Sequence, residues 1–253
     1  MRETRRRALA ATLLSVAVLL LASPYAAQAQ TIYPPSGGGG AAATTNSYQI
    51  IEDFFGIVAT PAGAIDWAVL NATVSSGTTP ISNHPGIMII TTNSTTAVTG
   101  LYSGAVNGSF GMLYSDFDAA TFIVAFGTAA NVPIQRVGMM NVVGAAPTAN
   151  SVFFEHLDSD ANWFACTQNA AGTVTRSDTN VAYSGGTYVN FRIEHPASTS
   201  YAFYIDGVLV ATNTLTLPTE SVGSYFVFQT DATGTAAAMT VDLFALTVRT
   251  SSR

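Results

Sequence analysis

From residue 47 onward the chain is a succession of short apolar or alternating runs separated by turn-forming clusters. Tyr188-Val-Asn-Phe-Arg-Ile-Glu194 alternates strictly, with Val189, Phe191 and Ile193 on one side and Asn190, Arg192 and Glu194 on the other. That period of two marks a strand with one buried face. In Tyr201-Ala-Phe-Tyr-Ile-Asp-Gly-Val-Leu-Val-Ala-Thr212 two apolar runs flank Asp206-Gly207. A two-residue Asp-Gly connection predicts a hairpin closed by a type I′ turn, which needs positive φ at both positions. Upstream, Ser151–Glu155 and Asn162–Cys166 flank a polar loop, His156–Ala161.

The same pattern predicts strands over Ser47–Phe54, Ile65–Asn71, Gly86–Thr91, Ala97–Tyr102, Met112–Asp118, Ala120–Gly127, Asn141–Val143 and Ser151–His156. It continues with Trp163–Asn169, Thr173–Asp178, Tyr188–Glu194, Tyr201–Asp206, Val208–Asn213, Tyr225–Thr230 and Met239–Arg249. In the last, Val241, Leu243, Ala245 and Thr247 alternate with Asp242, Phe244, Leu246 and Val248, and neither side is fully polar, as in a central strand. Turn clusters such as Gly77–Pro80, Asn83–Gly86, Asn107-Gly108, Ala170–Gly172, Ser184–Gly186 and Asp231–Gly234 recur about every ten residues, the spacing of an antiparallel two-sheet sandwich. No later segment has helical periodicity, and about two hundred residues suffice for one domain with a sizeable core.

The N-terminus follows other rules. Arg2, Arg5, Arg6 and Arg7 precede an apolar run, Ala8–Ala22, and then Ala27-Gln28-Ala29. A positive start, an apolar run of about fifteen residues and an Ala-x-Ala site predict a secretory signal over residues 1–29, cleaved near Ala29. The run is short of the roughly twenty residues of a membrane span. Residues 30–47, with Pro34-Pro35 and Gly37–Gly40, read as a flexible linker, and the sandwich as residues 48–250.

Cleavage changes the charge. Four of nine arginines and one of fifteen acids leave with the signal, so the mature chain carries five arginines against fourteen acids, a net −9, with no lysine. Nucleic acid and anionic membranes are therefore disfavoured partners, whereas cations and neutral glycans stay compatible.

Several motifs resemble a known family. An aromatic strand leads to a polar loop and Asn162-Trp163; Gly172 stands in a turn, and Thr179–Ala182 precede a Gly-rich turn. Phe191-Arg-Ile-Glu194, Phe203-Tyr-Ile-Asp-Gly-Val-Leu-Val210 and Pro218 follow, with Glu52-Asp-Phe-Phe-Gly56 and His84-Pro-Gly-Ile87 upstream. Residues 48–249 thereby resemble the concanavalin-A-like, or laminin-G-like, jelly rolls of secreted bacterial proteins and of phage tail and virion proteins. The resemblance implies an all-β, two-sheet antiparallel jelly roll whose C-terminal strand pairs near its N-terminal one. It says little about activity.

Candidate chemistry is sparse. Asp158-Ser-Asp160-Ala-Asn162 has the D-x-D-x-N spacing that gathers oxygens around Ca²⁺, with Glu155 three residues before. Trp163 and Asn169 stand where an EF-hand needs Gly and Glu, and a polar hairpin loop bonding its own backbone is the competing reading. His84, His156 and His195 lack zinc spacing. Glycosidase relatives of the resembled fold carry two acids facing one groove; here Glu155 and Asp158 are three apart and face opposite ways on a strand, and Asp206 is a turn residue. Cys166, the only cysteine, falls in a strand and reads as a buried thiol. For a sugar, the best cluster is Trp163 as an aromatic platform with Asn162, Asp160 and Asp158 for hydroxyls; Trp67, Tyr183 and Tyr188 are alternatives.

The sequence thus predicts a secreted, extracellular or periplasmic, non-catalytic module binding a glycan or cell-surface ligand, with Ca²⁺ as its one candidate cofactor and self-association open. The alternatives are a structural subunit of a virion, coat or filament, and a glycoside hydrolase.

Overall fold

The computed structural model describes residues 46–53, 67–70, 72–76, 87–92, 98–103, 114–127, 134–219, 225–231 and 238–250. The signal, most of the linker and the turns at 77–80, 83–86 and 107–108 lie outside the described residues. Described strands are β1 (Asn46–Asp53), β2 (Trp67–Leu70), β3 (Ala72–Ser76), β4 (Met88–Thr92), β5 (Val98–Ser103), β6 (Phe117–Phe126), β7 (Gln135–Met140) and β8 (Ser151–His156). They continue as β9 (Asn162–Gln168), β10 (Val174–Ala182), β11 (Tyr188–Ala197), β12 (Ser200–Ile205), β13 (Val208–Asn213), β14 (Tyr225–Asp231) and β15 (Ala238–Thr250).

They form two antiparallel sheets. One runs β13-β12-β11-β6-β15-β4-β3, with β1 also on β15; the other runs β10-β9-β8-β7-β14-β5-β2. The C-terminal strand β15 organises the first. It pairs with β6 along one edge, and with β1 and then β4 along the other. The expected pairing of the sandwich's C-terminal strand with its N-terminal one is therefore present, Asn46 opposite Thr250.

The expected alternation along β15 is corrected. Its register with β6 shifts between Val241 and Leu243, so a bulge at Asp242 puts Val241 and Phe244 together in the core. Two other expectations also change. Within Met112–Asp118, residues Tyr114–Asp116 form a 3-10 turn and β6 begins at Phe117. Residues 141–143 are irregular, and the strand lies just before them as β7. All six residues of β7 are buried, Gln135 and Arg136 included, so no alternation of polar and apolar residues reveals it. The Asp206-Gly207 hairpin forms as expected: Asp206 has φ 51° and Gly207 φ 79°, and Ile205 faces Val208.

The main core lies between the sheets. Phe122, Phe154, Trp163, Phe191, Phe203, Phe226, Phe228 and Phe244 fill it, each contributing about 1.5–3 kcal/mol of burial. Phe122, Phe226, Phe228 and Phe244 meet with ring centroids 4.8–6.5 Å apart.

A second, smaller cluster holds Met140, Phe153, Cys166 and Val227. Registry explains it. Phe153 faces Cys166 on β9 and Gly138 on β7, while Gly138 faces Val227 on β14. Side chains alternate along each strand, so these point away from the main core and line the outward face of the seven-stranded sheet. Gly138 is required in that row. Its φ is +149°, and a Cβ there would sit 2.5 Å from the Val152 carbonyl oxygen and 2.6 Å from Phe153 Cα.

Candidate functional site

The outward face of the seven-stranded sheet carries a linked cluster of charged and aromatic side chains. Next to Phe153 on β8, Glu155 points outward between two arginines. Arg136 Nε on β7 donates to Glu155 Oε2 at 2.8 Å, and Arg176 Nε on β10 donates to Glu155 Oε1 at 3.1 Å. Arg176 Nη2 also pairs with Asp160 of the β8–β9 loop, and its guanidinium lies 3.5 Å over the Phe164 ring on β9. The side chains of Arg136 and Glu155 are only 7 % and 12 % exposed, so this is a largely desolvated pair; Arg176 is 28 % exposed and forms its outer margin.

Farther along the face, Tyr102 of β5 and Tyr225 of β14 meet edge to face at 5.9 Å, and both are partly exposed. Tyr225 faces Met140 across the sheet, so the tyrosines and the arginines share one surface with an apolar floor between them. One border of the surface is loop 141–150. Gln229 Oε1 accepts from Gly144 N–H at 3.2 Å, Gln229 Nε2 donates to the Ala145 carbonyl, and Gln168 Nε2 donates to the Pro147 carbonyl. Both glutamines point outward and are buried beneath this loop.

The residues expected to bind a sugar are placed differently. Trp163 is corrected: it points inward, is 1 % exposed, and packs on Phe126 and Phe191 with centroids 5.6 and 4.7 Å away. The register that turns Phe164 and Cys166 outward with Glu155 and Phe153 turns Trp163 inward. Trp67 is likewise buried, and Tyr183 is partly buried and packs beside Trp163.

The polar loop bonds to itself. Asp160 Oδ2 accepts from Leu157 N–H at 2.9 Å, and Asn162 Nδ2 donates to both carboxylate oxygens of Asp178 at 3.0 and 3.2 Å. Asp158 is exposed at the tip. Asp160 is thus engaged by the Leu157 amide and by Arg176 of β10, and Asn162 by Asp178 of β10, rather than converging with Asp158 as the calcium-loop expectation needs; among the described residues, no three His, Cys, Asp or Glu side chains are arranged to hold a metal.

Nor do paired carboxylates face one groove in the expected motif. Both oxygens of Glu155 are taken by arginines, Asp158 lies beyond the end of β8, and Asp206 is the hairpin turn, its Oδ1 accepting from Asn190 N–H at 2.9 Å. Cys166 is buried in the outward cluster, and burial, followed by the nearby Glu155 charge, pushes its thiol far above the usual range. It is unreactive.

Arg136, Arg176, Phe164, Tyr102 and Tyr225 went unnoticed in the sequence because five strands supply them. The one local sign was Val174, Arg176 and Asp178 falling on one side of β10.

Solved structures share this architecture. SO2946, a protein of unknown function from Shewanella oneidensis MR-1, superposes with a TM-score of 0.60 at 17 % identity, over 83 % of this chain and 91 % of its own. The endo-β-1,4-glucuronan lyase of the fungus Trichoderma reesei gives 0.55 at 14 %, over 79 % and 94 %. The Bacillus licheniformis β-glucanase gives 0.50 at 13 %, over 79 % and 97 %. At these identities the likeness is one of fold, and the fold is the concanavalin-A-like sandwich. Comparison with curated proteins returns no match. The family model described as SO2946-like, C-terminal domain, covers residues 83–243, well over half of the sequence, and the chain belongs to that family.

Proposed function

We propose that this protein is a secreted, non-catalytic module that binds an uncharged glycan across the outward face of the seven-stranded sheet. The observation that carries the reading is the Arg136–Glu155–Arg176 cluster with the partly exposed Tyr102 and Tyr225 rings farther along the same face. Tyr102 and Tyr225 offer ring faces and hydroxyls to a sugar, and the flanking Arg176, Asp178 and Asn162 offer polar contacts. Similarity in fold to a β-glucanase and a glucuronan lyase supports a carbohydrate ligand by analogy.

One feature favours binding over hydrolysis, and another a neutral ligand. Glycoside hydrolysis needs a carboxyl free to attack or to transfer a proton. Glu155 has each oxygen held by a guanidinium. The charges also favour a neutral ligand, since Arg136 and Arg176 are matched by Glu155 and Asp160, and the mature chain is acidic. A uronate would meet no unmatched cation in this cluster.

The test is titration of the 30–253 chain against neutral and uronic-acid polysaccharides, with Tyr225→Ala and Tyr102→Ala beside it. The reading expects saturable binding to a neutral polymer, weakened at least about tenfold in either variant, given about 1.4 kcal/mol per tenfold. Saturable binding of uronans alone would overturn the uncharged-ligand claim, and release of reducing ends would overturn the non-catalytic one.

A second reading has its own observation. Val208 and Leu209 are 64 % and 53 % exposed on β13, an edge strand without charge or proline. Such an edge favours self-association, as in a structural subunit. Light scattering across concentration distinguishes the two, because a monomer throughout contradicts the structural role.

A further inference from the structure

Behind Glu155, on the inward side of the same sheet, four side chains have polar atoms without a protein hydrogen-bond partner. These are Gln135 Oε1, both ring nitrogens of His156, Trp163 Nε1 and Thr230 Oγ1. None of the four residues is more than 1 % exposed. They are neighbours by register. Gln135 on β7 faces His156 on β8 and Thr230 on β14, and the His156 ring lies 5.6 Å from that of Trp163. Directly opposed side chains start about 5 Å apart.

The rest of the cluster is fully bonded, which fixes the direction of the unpartnered atoms. Gln135 Nε2 donates to the Tyr183 hydroxyl at 2.9 Å, and that hydroxyl donates to the Gly127 carbonyl at 2.8 Å. That bond occupies the Gln135 nitrogen and leaves Oε1 as the unpartnered acceptor. Tyr183 also stacks against His156 at 4.6 Å. One imidazole nitrogen faces the backbone of Asp160 without a bond of normal geometry.

The set holds one acceptor (Gln135 Oε1), one donor (the Trp163 indole N–H), and two groups able to do either (the Thr230 hydroxyl and the imidazole). Buried polar groups in folded proteins are almost always satisfied, and those without a protein partner are satisfied by ordered water. Water carries two donors and two acceptors and suits this mixed set. A cation does not, because none of the four residues is a carboxylate and the indole offers only a proton.

We propose that Gln135, His156, Trp163 and Thr230 enclose an internal hydration site holding about one or two ordered waters that bridge them across β7, β8, β9 and β14. The site does not depend on the glycan reading. It explains why polar residues line the interior where neighbouring inward positions hold Phe154, Phe226 and Phe228.

The Trp163 indole proton is the direct probe. In ¹⁵N-edited NOESY of the 30–253 chain, with Trp67→Phe to assign the indole signals, Trp163 Hε1 is expected to show a cross-peak to a long-lived water. A high-resolution crystal structure with a dry cluster, or no water cross-peak from Trp163 Hε1, would overturn the proposal. Thr230→Val supplies an independent sign. If the hydroxyl anchors water, its loss lowers Tm by about 2–4 °C. If the cluster is dry, the isosteric apolar side chain raises Tm, and the proposal fails.

Discussion

Arg136 and Glu155 face each other across β7 and β8, with Arg136 Nε donating to Glu155 Oε2 at 2.8 Å on the outward face of the seven-stranded sheet. Desolvated pairs of this kind add little relative to an apolar pair of the same shape, but removing one partner strands the other. Arg136→Met is therefore expected to cost about 3 kcal/mol in urea unfolding. The double variant Arg136→Met/Glu155→Leu should recover part of that loss. A single-variant cost under about 0.5 kcal/mol, the range of surface substitutions, would show that the pair is solvated.

Trp163 is a core residue, and its replacement tests that placement. Trp163→Ala leaves a large void among Phe126, Phe191 and His156 and is expected to cost about 3–5 kcal/mol. Trp163→Phe should cost much less and leave ligand affinity unchanged. Loss of binding in folded Trp163→Phe would return this ring to the binding surface.

Acid should weaken the fold through two buried imidazoles. Burial lowers the pKa of His156, partly opposed by Asp160 and Asp158, while Arg176 adds to the lowering. Burial likewise lowers His195, which stacks on Tyr201 at 4.4 Å with Arg249 and Asp118 nearby. A depressed native pKa means that the unfolded chain binds the proton more readily. This contribution is fully present above the ordinary imidazole value of 6.5 and is lost as pH falls below it. Unfolding free energy should fall from pH 7 to pH 5, with a slope of at most about 1.4 kcal/mol per pH unit for each imidazole. His195→Gln should flatten the profile; an unchanged slope would contradict the assignment.

Gly138 permits β7 and β8 to approach. Gly138→Ala places a methyl against the Val152 carbonyl and Phe153 Cα, backbone atoms that cannot turn aside, at a φ of +149°. A loss of at least about 2 kcal/mol is expected by thermal or denaturant unfolding. A neutral effect would show that the strands are free to separate.

These residues also show what the sequence made legible. Strands with one buried face declared themselves by alternation, as in β11, where Phe191 and Ile193 are buried and Arg192 and Glu194 are only half-buried; β8 and β13, read as short apolar runs, fall on the predicted residues, Ser151–His156 and Val208–Asn213. The hairpin was readable because Asp206-Gly207 meets a steric need local to two residues. Strand β7 was not, since burial on both sides removes the period-two signal. The side of the sheet on which Trp163 lies was equally hidden, because β9 is buried on both faces along most of its length and only the pairing Glu155–Phe164 settles it. The outward face draws Tyr102, Arg136, Glu155, Phe164, Arg176 and Tyr225 from positions up to about 120 residues apart, and only strand order unites them.

The central claim is that the outward face of the seven-stranded sheet binds a neutral glycan. Its most direct test is calorimetric titration of the 30–253 chain with a panel of neutral polysaccharides, in parallel with Tyr225→Ala and Trp163→Phe. Saturable binding lost in Tyr225→Ala and retained in Trp163→Phe is the predicted result. No binding across the panel, or binding indifferent to Tyr225, would contradict it.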